Sequence, residues 1–377
     1  HHRTMNSARL VSALTTATPF VERLVHFWAN HFAVSADRLP TVGLAGLLEF
    51  EAIRPNVLGR FGDMLLAVEQ HPAMLVYLDQ AQSIGPNSQA AQRARKRGAK
   101  RGLNENLARE ILELHTVGVN GGYTQADVTE FARALTGWTV AGIKGTRTSR
   151  YVAGAAQPGS FAFADVLHEP GARQIVGRSY PQGGAAQGRA VLSDLATHPS
   201  TARFLATKLA RHFVADEPPP AMVERLARAY LSSGGHLPTV YRAIIDSPEA
   251  WADRPAKFKT PWEWTVSSMR ALGAREVRQG LGLKLLTQLG QPTWQPGSPA
   301  GWGDTAANWT GPDAMLRRVD AVQRLASGAG AEVDPRAVAE RVLPGVLSNA
   351  TRTAIERAES PQQGLALLLV SPEFMRR

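Results

Sequence analysis

The stretch that decides the fold occupies residues 104–138 and reads NENLAREILELHTVGVNGGYTQADVTEFARALTGW. Its apolar residues Leu107, Ile111 and Leu114 recur at helical spacing, which predicts one buried helix face. The Gly-rich run VGVNGG ends this helix, and the following YTQAD has the pattern of a capping box at the start of a second helix. The stretch therefore predicts two consecutive helices.

Polar residues follow one flank of the first helix. Asn106, Glu110 and Glu113 are spaced four and then three residues apart, so they form one stripe. Arg109 lies beside the stripe, and Glu105 precedes Arg109 by one turn. A catalytic site, an ion site and a salt-bridge network all fit this pattern.

A half-buried carboxylate needs a partner, or its pKa rises. Because Arg109 lies outward of the stripe, we expect a second cation, Arg133 of the second helix, to bond to Glu110 or Glu113. If that pair is structural, Glu110→Ala should cost roughly 3–5 kcal/mol of stability. If it is catalytic, Glu110→Gln should abolish activity and leave the melting temperature nearly unchanged.

Helical periodicity recurs through most of the 377 residues. The predicted fold is mainly α, with one large multi-helical domain over residues 1–377. Within residues 149–179 the period changes to two around a Pro-Gly pair, which predicts a small β-hairpin insertion. We expect its antiparallel strands near residues 161–167 and 174–177.

The composition is 44% hydrophobic and 20% charged, which is typical of a folded domain. No apolar run approaches the roughly 18 residues that a membrane span needs, so no transmembrane segment is predicted. The formal net charge is +10, but the only basic cluster is RARKRGAKR at residues 93–101. We interpret this cluster as an exposed loop that binds polyanions weakly, without sequence-specific recognition of nucleic acid.

Several site chemistries lack their sequence signatures. There is no Cys, which excludes thiolate metal ligands and disulfides. Glu110 and His115 are five residues apart, roughly 140° around an α-helix, so we predict no zinc site and assign no metal ligands. The motifs GxSxG, GxxxxGK and GxGxxG are missing, and the sequence leaves any cofactor unknown.

Three further features are open to two interpretations. His31 lies on an apolar helix face, which favours a hydrogen-bonded core residue over a ligand or base. His168 ends a predicted strand, where it either stabilises the turn or takes part in function. The loop at residues 289–312 carries three tryptophans, among them Trp302, which either stack on sugar rings or fix the loop to the fold.

The chain resembles the bacterial family known as domain of unknown function 1800. The 104–138 stretch is the most specific match, and further matches follow in the expected order: FWANHFAVS, HEPGARQIVG, FKTPWEWTVSSMRALG, LGQPTWQPGSPAGW and SPEF. In the second of these the family usually has Asp and Lys where this chain has Glu169 and Arg173. If Asp and Lys take part in chemistry, the two replacements put that chemistry in doubt.

The resemblance implies context and no established activity. Members of the family look bacterial and are often exported, which implies a periplasmic or secreted location. They are often encoded beside a second exported family that resembles sulfatases and phosphatases, which implies a protein partner. The family pattern also implies a natural N-terminal portion before residue 1.

Two functional hypotheses follow. The first, which we favour because no motif is reaction-specific, is a helical scaffold that binds the sulfatase- or phosphatase-like partner. The second is an enzyme acting on an envelope polymer or glycan, with Glu110 and Glu113 as acid/base groups or ion ligands, Arg109 holding an anionic group and His168 closing the site. The candidate binding residues are Asn106, Glu105, His31, Arg133, Arg173 and Trp302.

Overall fold

The protein is described by a computed structural model. It covers residues 2–98, 102–142, 149–152, 157–253, 255–276, 280–329 and 333–377. Helices dominate this part of the chain, and the only β-structure in named strands is two short hairpins, so the predicted mainly α class is confirmed. Across the same residues, no helix is both long and apolar enough to cross a membrane.

The helices and strands are numbered in chain order. The α-helices are α1 His2–Thr15, α2 Pro19–His31, α3 Leu39–Val42, α4 Ala45–Leu47, α5 Phe61–Glu69, α6 Pro72–Tyr77, α7 Gln89–Arg95, α8 Asn106–Glu110, α9 Gln125–Leu135, α10 Ala185–Ala196, α11 Pro199–Phe213, α12 Pro220–Ser232, α13 Leu237–Ile245, α14 Pro261–Ala271, α15 Leu281–Gln288, α16 Pro312–Ser327, α17 Pro335–Val342, α18 Asn349–Glu356 and α19 Pro361–Leu369. The π-helices are Leu48–Ile53 and Ile111–His115. The 3₁₀ turns are Arg54–Asn56, Gln80–Gln82, Ser149–Val152, Asp165–Leu167, Pro248–Trp251 and Ala306–Asn308. The strands are β1 Trp138–Val140, β2 Phe161–Phe163, β3 Arg173–Ile175 and β4 Arg178–Tyr180.

The strands pair differently from the predicted hairpin. Both predicted segments contain a strand, but β2 pairs with β1, and β3 pairs with β4. Val176 and Gly177 both have positive φ, 47° and 72°, as the two central residues of a type I′ turn require. This turn folds the chain back directly after β3, so β3 pairs with the next three-residue strand and not with β2.

The 104–138 stretch forms α8 and α9, but a π-helix changes its buried face. Leu107 and Ile111 are buried as predicted, whereas Leu114 is partly exposed. Leu112 and His115 are buried in its place. A π-helix bonds residue i to i+5, so its wider turn rotates the residues after Ile111 relative to an α-helix. The capping box at the start of α9 is confirmed.

Two large hydrophobic cores organise the described part of the chain. The first is built mainly from the helices between α2 and α13, and the second from α1 together with the segment at residues 258–375. Helix α1 packs against α14 and α15 of the second core and also against α2 and α4 of the first. The boundary between the two cores is therefore where side chains from the beginning and the end of the chain meet.

Candidate functional site

The predicted Glu–Arg cluster is a partly solvent-exposed network. Arg109 Nη2 lies 3.3 Å from Glu105 Oε2 and donates to Gln125 Oε1 at 2.9 Å. Its Nη1 lies 3.4 Å from Glu113 Oε1. The Arg109 side chain is 36% exposed, and ion pairs at such positions contribute little to stability.

The prediction that Arg133 bonds to Glu110 or Glu113 of the stripe is wrong. Arg133 forms an ion pair with Glu130, three residues before it on α9. Arg173 also bonds to Glu130, at 3.1 Å. Because Glu130 is the nearer carboxylate on the same helix, it takes the guanidinium that was expected at Glu110 or Glu113.

Glu110 is half-buried and has no cation within 4.0 Å in the described part of the chain. Burial raises its pKa, and the charge of Glu113 adds to this effect. Asn106, on the same stripe, begins α8 and donates its backbone N–H to the side chain of Asn104 at 2.8 Å. The stripe is thus not the buried ion-pair network that the scaffold hypothesis expected.

The candidates near the β-hairpins stabilise turns. His168 is buried, and its Nδ1 donates to the carbonyl oxygen of Thr136 at 2.8 Å. Glu169 accepts bonds from the backbone and side-chain nitrogens of Asn87 at 2.7 and 2.6 Å. Among the described residues, the partners of His168 and those of Arg109 have no residue in common, so these two candidates are not brought into one site.

His31 is a buried, hydrogen-bonded residue of the first core. Its Nε2 donates to the carbonyl oxygen of His115 at 3.1 Å. The ring of His115 in turn contacts Glu69, with Nδ1 and Oε1 2.8 Å apart and both side chains buried. These contacts agree with the structural interpretation of His31, although the residue also reaches the cavity described next.

A cavity of about 540 Å³ lies where α1, α2, α11, α14 and the irregular loop at residues 289–311 meet. We call it the basic cavity, because seven basic side chains and three carboxylates line it. The basic residues are Arg9, Arg23, Lys208, Arg211, Lys259, Arg270 and Arg377. The acidic residues are Glu22, Glu263 and Asp304. The cavity therefore carries a surplus of positive charge.

Two of the carboxylates are held by partners and stay ionised. Asp304 Oδ2 lies 2.9 Å from His212 Nδ1, and Glu263 Oε1 lies 2.6 Å from Arg377 Nε. Glu263 also caps α14, accepting the backbone N–H of Thr260 at 2.9 Å. Burial alone would raise the pKa of each carboxyl, but the charge of Arg377 beside Glu263 lowers the pKa of Glu263 to about 2. His212, which bonds to Asp304 and is positively charged only at acidic pH, lowers the pKa of Asp304 to about 2.

His26 and Glu22 also lie within ion-pair distance of each other. The indole N–H of Trp262 donates to His26 Nδ1 at 3.0 Å, so His26 carries its proton on Nε2. That Nε2 lies 3.3 Å from Glu22 Oε1. Glu22 accepts two further bonds from the Arg54 guanidinium, at 2.7 and 2.8 Å. His26 therefore has no free lone pair with which to take a proton from a ligand.

Five cations of the cavity have no carboxylate within 4.0 Å in the described part of the chain, and two of them, Arg211 and Arg270, donate to backbone carbonyl oxygens instead. The other three, Arg23, Lys208 and Lys259, have no side-chain hydrogen bond or ion pair among the described residues, and we call them the unpaired cations. The Nε and Nη2 atoms of Arg23 are buried without a hydrogen-bond partner. Burial lowers the pKa of Arg23 to about 10, that of Lys208 to about 8 and that of Lys259 to about 7. Each charge lies over a phenylalanine ring, namely Phe213, Phe204 and Phe374 at 4.9, 5.5 and 3.9 Å.

His212 is the histidine of the cavity that is arranged as a base. Its Nδ1–H donates to Asp304, which leaves a lone pair on Nε2. No hydrogen bond to Nε2 occurs among the described residues. Burial lowers the pKa of His212, although Asp304 opposes this, so the ring is neutral at pH 7. The rings of Phe27 and Phe213 pack beside it, with centroids 5.2 and 4.8 Å away.

Comparison with known protein families gives one match, which covers residues 1–376 and is described as "Protein of unknown function (DUF1800)". The chain belongs to the DUF1800 family. No curated protein and no solved structure matches it significantly.

In this DUF1800 chain, several segments that carry the family resemblance meet at the basic cavity. FWANHFAVS contributes the end of α2, FKTPWEWTVSSMRALG contributes Lys259 and Glu263, and the tryptophan loop contributes Trp302. Asn30 fixes that loop, exchanging hydrogen bonds of 2.7 and 2.9 Å with the backbone of Trp302. The candidate residues of the α8 stripe, Glu110, Glu113 and Arg109, do not line this cavity, whereas His31 and Trp302 do.

The other two tryptophans of the loop fix it to the fold. Trp294 is buried and donates its indole N–H to Glu49 at 3.0 Å. Trp309 is buried and donates to the carbonyl oxygen of Gly303 at 2.9 Å. These contacts agree with the structural interpretation for both residues, although Trp294 also lines the basic cavity. Trp302 lines it too and is only partly buried.

Proposed function

We propose that this DUF1800 protein binds an acidic glycan in the basic cavity. The observation that carries the proposal is the set of three cations, Arg23, Lys208 and Lys259, whose side chains have neither an ion pair nor a hydrogen bond among the described residues. Removing a charge from water is costly unless an opposite charge replaces the lost hydration. An anionic group in the cavity would supply that charge to all three.

The electrostatics of the cavity favour an anion over a cation. Its own carboxylates are occupied, Asp304 by His212 and Glu263 by Arg377. The charge of Asp304 acts on both Arg23 and Lys208, and that of Glu263 acts on Arg23 and Lys259. The unpaired cations therefore lie around one shared volume and can act on one ligand together.

The remaining lining supports a sugar as the carrier of the anion. Trp262 and Trp302 line the same cavity, and indole faces pack well against the apolar faces of sugar rings. The volume of about 540 Å³ is in the range of small-molecule sites, which is about 300–1,000 Å³. This ligand class also agrees with the enzyme hypothesis drawn from the sequence, although its site moves from Glu110 to the basic cavity.

The bacterial origin, the exported location and the sulfatase- or phosphatase-like partner remain proposals that rest on the family resemblance. A scaffold role rests on the same resemblance. An acidic glycan ligand is compatible with such a partner, because sulfatases and phosphatases act on anionic ester groups. Both proteins would then act on the same class of polymer.

Isothermal titration calorimetry with short acidic oligosaccharides tests the proposal. The probes are oligogalacturonate and a sulfated disaccharide, with a neutral glucose oligomer for comparison. We expect the acidic probes alone to bind. We expect Arg23→Gln to weaken binding by about tenfold or more, because a charged hydrogen bond contributes about 1.5–3 kcal/mol.

The matched control is Arg228→Gln, which removes the same charge from the exposed side of α12, outside the cavity lining. This variant should bind like the unmodified protein. Equal affinity of the Arg23→Gln and Arg228→Gln variants would contradict the proposal. Equal affinity for the neutral and acidic oligomers would contradict it as well.

A further inference from the structure

We propose that the basic cavity is the active site of an enzyme that cleaves uronate-containing glycans by β-elimination, with His212 as the general base. The inference rests on the proposed function, since it requires an acidic glycan in the cavity. It adds the reaction, the acidic group of the substrate and the residue that takes the proton.

His212 has the arrangement that a general base needs. The bond from its Nδ1 to Asp304 at 2.9 Å fixes the tautomer and leaves the lone pair on Nε2. The charged groups that act on His212 are Asp304, Glu263 and Arg377. Arg377 also donates to the backbone carbonyl of His212 at 2.8 Å, which fixes the position of the residue.

Among the described residues, the cavity has no hydroxyl nucleophile activated by His212. Among the described residues, no Ser or Thr hydroxyl is hydrogen-bonded to His212. The hydroxyl of Ser267, which lines the cavity, donates to the carbonyl oxygen of Trp264 at 3.1 Å. A nucleophile activated by a neighbouring base is therefore not assembled here. A reaction that needs only a base, an acid and charge stabilisation fits the residues better.

Elimination from a uronate meets this requirement. The proton on the carbon next to a carboxylate becomes acidic enough to remove when cations neutralise the carboxylate and the charge that develops on it. Arg23 and Lys208 are the unpaired cations available for that task. Sulfate and phosphate esters have no carbonyl group next to the carbon–hydrogen bond, so these anions alone would not allow the step.

The atoms and electrons balance without a further reactant. Nε2 of His212 takes the proton from the carbon next to the carboxylate, and the carbon–hydrogen electron pair forms a carbon–carbon double bond. The bond from the neighbouring carbon to the glycosidic oxygen breaks, and that oxygen keeps the electron pair. Lys259, which has no hydrogen-bond acceptor for its ammonium group among the described residues, donates a proton to the oxygen.

The experiment incubates the full chain with polymers of galacturonate, glucuronate and mannuronate. The ultraviolet absorbance of the unsaturated uronate product is then measured. We expect product from at least one polymer and a rate about 10²–10⁴-fold lower for His212→Gln, which is the range of general-base effects. We expect Asp304→Asn, a change at a positioning residue, to lower kcat more than it changes KM. His236→Gln, outside the cavity lining, is the control that keeps the full rate.

A pH profile and a binding measurement separate the outcomes. The rate should fall below the pH at which His212 becomes protonated, and His212→Gln should remove that dependence while still binding galacturonate oligomers. Uronate binding without product, or product carrying an oxygen from labelled water, would overturn the elimination and leave the proposed function intact. If the unmodified protein does not bind uronate oligomers at all, both the elimination and the proposed function are overturned. An unchanged rate in His212→Gln would overturn the role of this residue.

Discussion

Glu110 shows how burial and charge determine the effect of a single residue. It is half-buried, has no cation within 4.0 Å among the described residues, and its pKa is raised mainly by burial. A carboxyl whose pKa is higher in the folded state favours folding when protonated, and this contribution is lost as the pH rises through the folded pKa. At pH 7 the ionised Glu110 therefore lowers stability.

We predict that Glu110→Gln leaves stability unchanged or raises it at pH 7, in place of the loss of about 3–5 kcal/mol that a buried ion pair would give. The gain should disappear near pH 4, where the carboxyl is also protonated in the unfolded chain. Urea denaturation at both pH values measures the difference. Glu113→Gln is the matched control, and it should cost about 0.3–0.5 kcal/mol because it removes an i,i+4 pair with Arg109.

For single residues, the sequence predicts which side chains are polar and half-buried, but it does not predict which partner each side chain bonds to. Arg133 could reach a carboxylate on its own helix or one on the neighbouring helix. Arg133 pairs with Glu130 at i,i+3, because two side chains that are already neighbours on one helix lose little conformational entropy when they pair. The cavity residues Arg23 and Lys259 gave no signal of their own, because the absence of a partner becomes visible only when the surrounding side chains are in place.

Among the helices, the segment that ends in the π-helix Ile111–His115 was predicted in part. Its position along the chain followed from the sequence, but its π-helical geometry did not. Apolar periodicity located the helix, and Leu107 and Ile111 are buried as expected. The added residue of the wider turn has no signature in the letters ILELH. It is stabilised by tertiary contacts, among them the buried bond between His115 and Glu69 at 2.8 Å.

The π-helical geometry predicts that Leu112→Ala and Leu114→Ala lower the free energy of unfolding by different amounts. Leu112→Ala should lower the free energy of unfolding by about 2–5 kcal/mol, because the side chain is fully buried and its loss leaves a cavity. Leu114→Ala should cost clearly less, since Leu114 is partly exposed. Urea denaturation of the two variants tests the prediction. A larger loss at Leu114 than at Leu112 would indicate an uninterrupted α-helix through this segment.

For the whole molecule, the sequence predicted the mainly α class but not the position of the basic cavity. The basic cavity combines side chains from Arg9 to Arg377, which are nearly the full chain apart. Periodicity within a helix cannot say which helices meet across two cores. The residues of the Glu–Arg stripe of α8 are close in sequence, whereas the unpaired cations are scattered among segments far apart along the chain.

Positive charge occurs in two different settings in this molecule, on an exposed surface and in the basic cavity, and each setting favours a different kind of anion binding. The net charge is +10, and four basic residues of α7 and the turn after it are exposed, namely Arg93, Arg95, Lys96 and Arg97. The rest of this basic cluster, residues 99–101, lies outside the described residues. Exposed charges bind polyanions mainly by releasing counterions, so their affinity falls steeply with salt. The unpaired cations of the basic cavity, Arg23, Lys208 and Lys259, are instead partly or fully buried and are therefore screened less.

We predict that replacing these four residues with Gln weakens binding to long DNA of mixed sequence at low salt and reduces the slope of log affinity against log salt. The same variant should bind a short acidic oligosaccharide as the unmodified protein does, because that ligand occupies the cavity. Fluorescence anisotropy across a salt series measures the first effect, and calorimetry measures the second. Tight binding to one DNA sequence that survives raised salt would contradict the prediction, since exposed arginines on a short helix supply charge without reading bases.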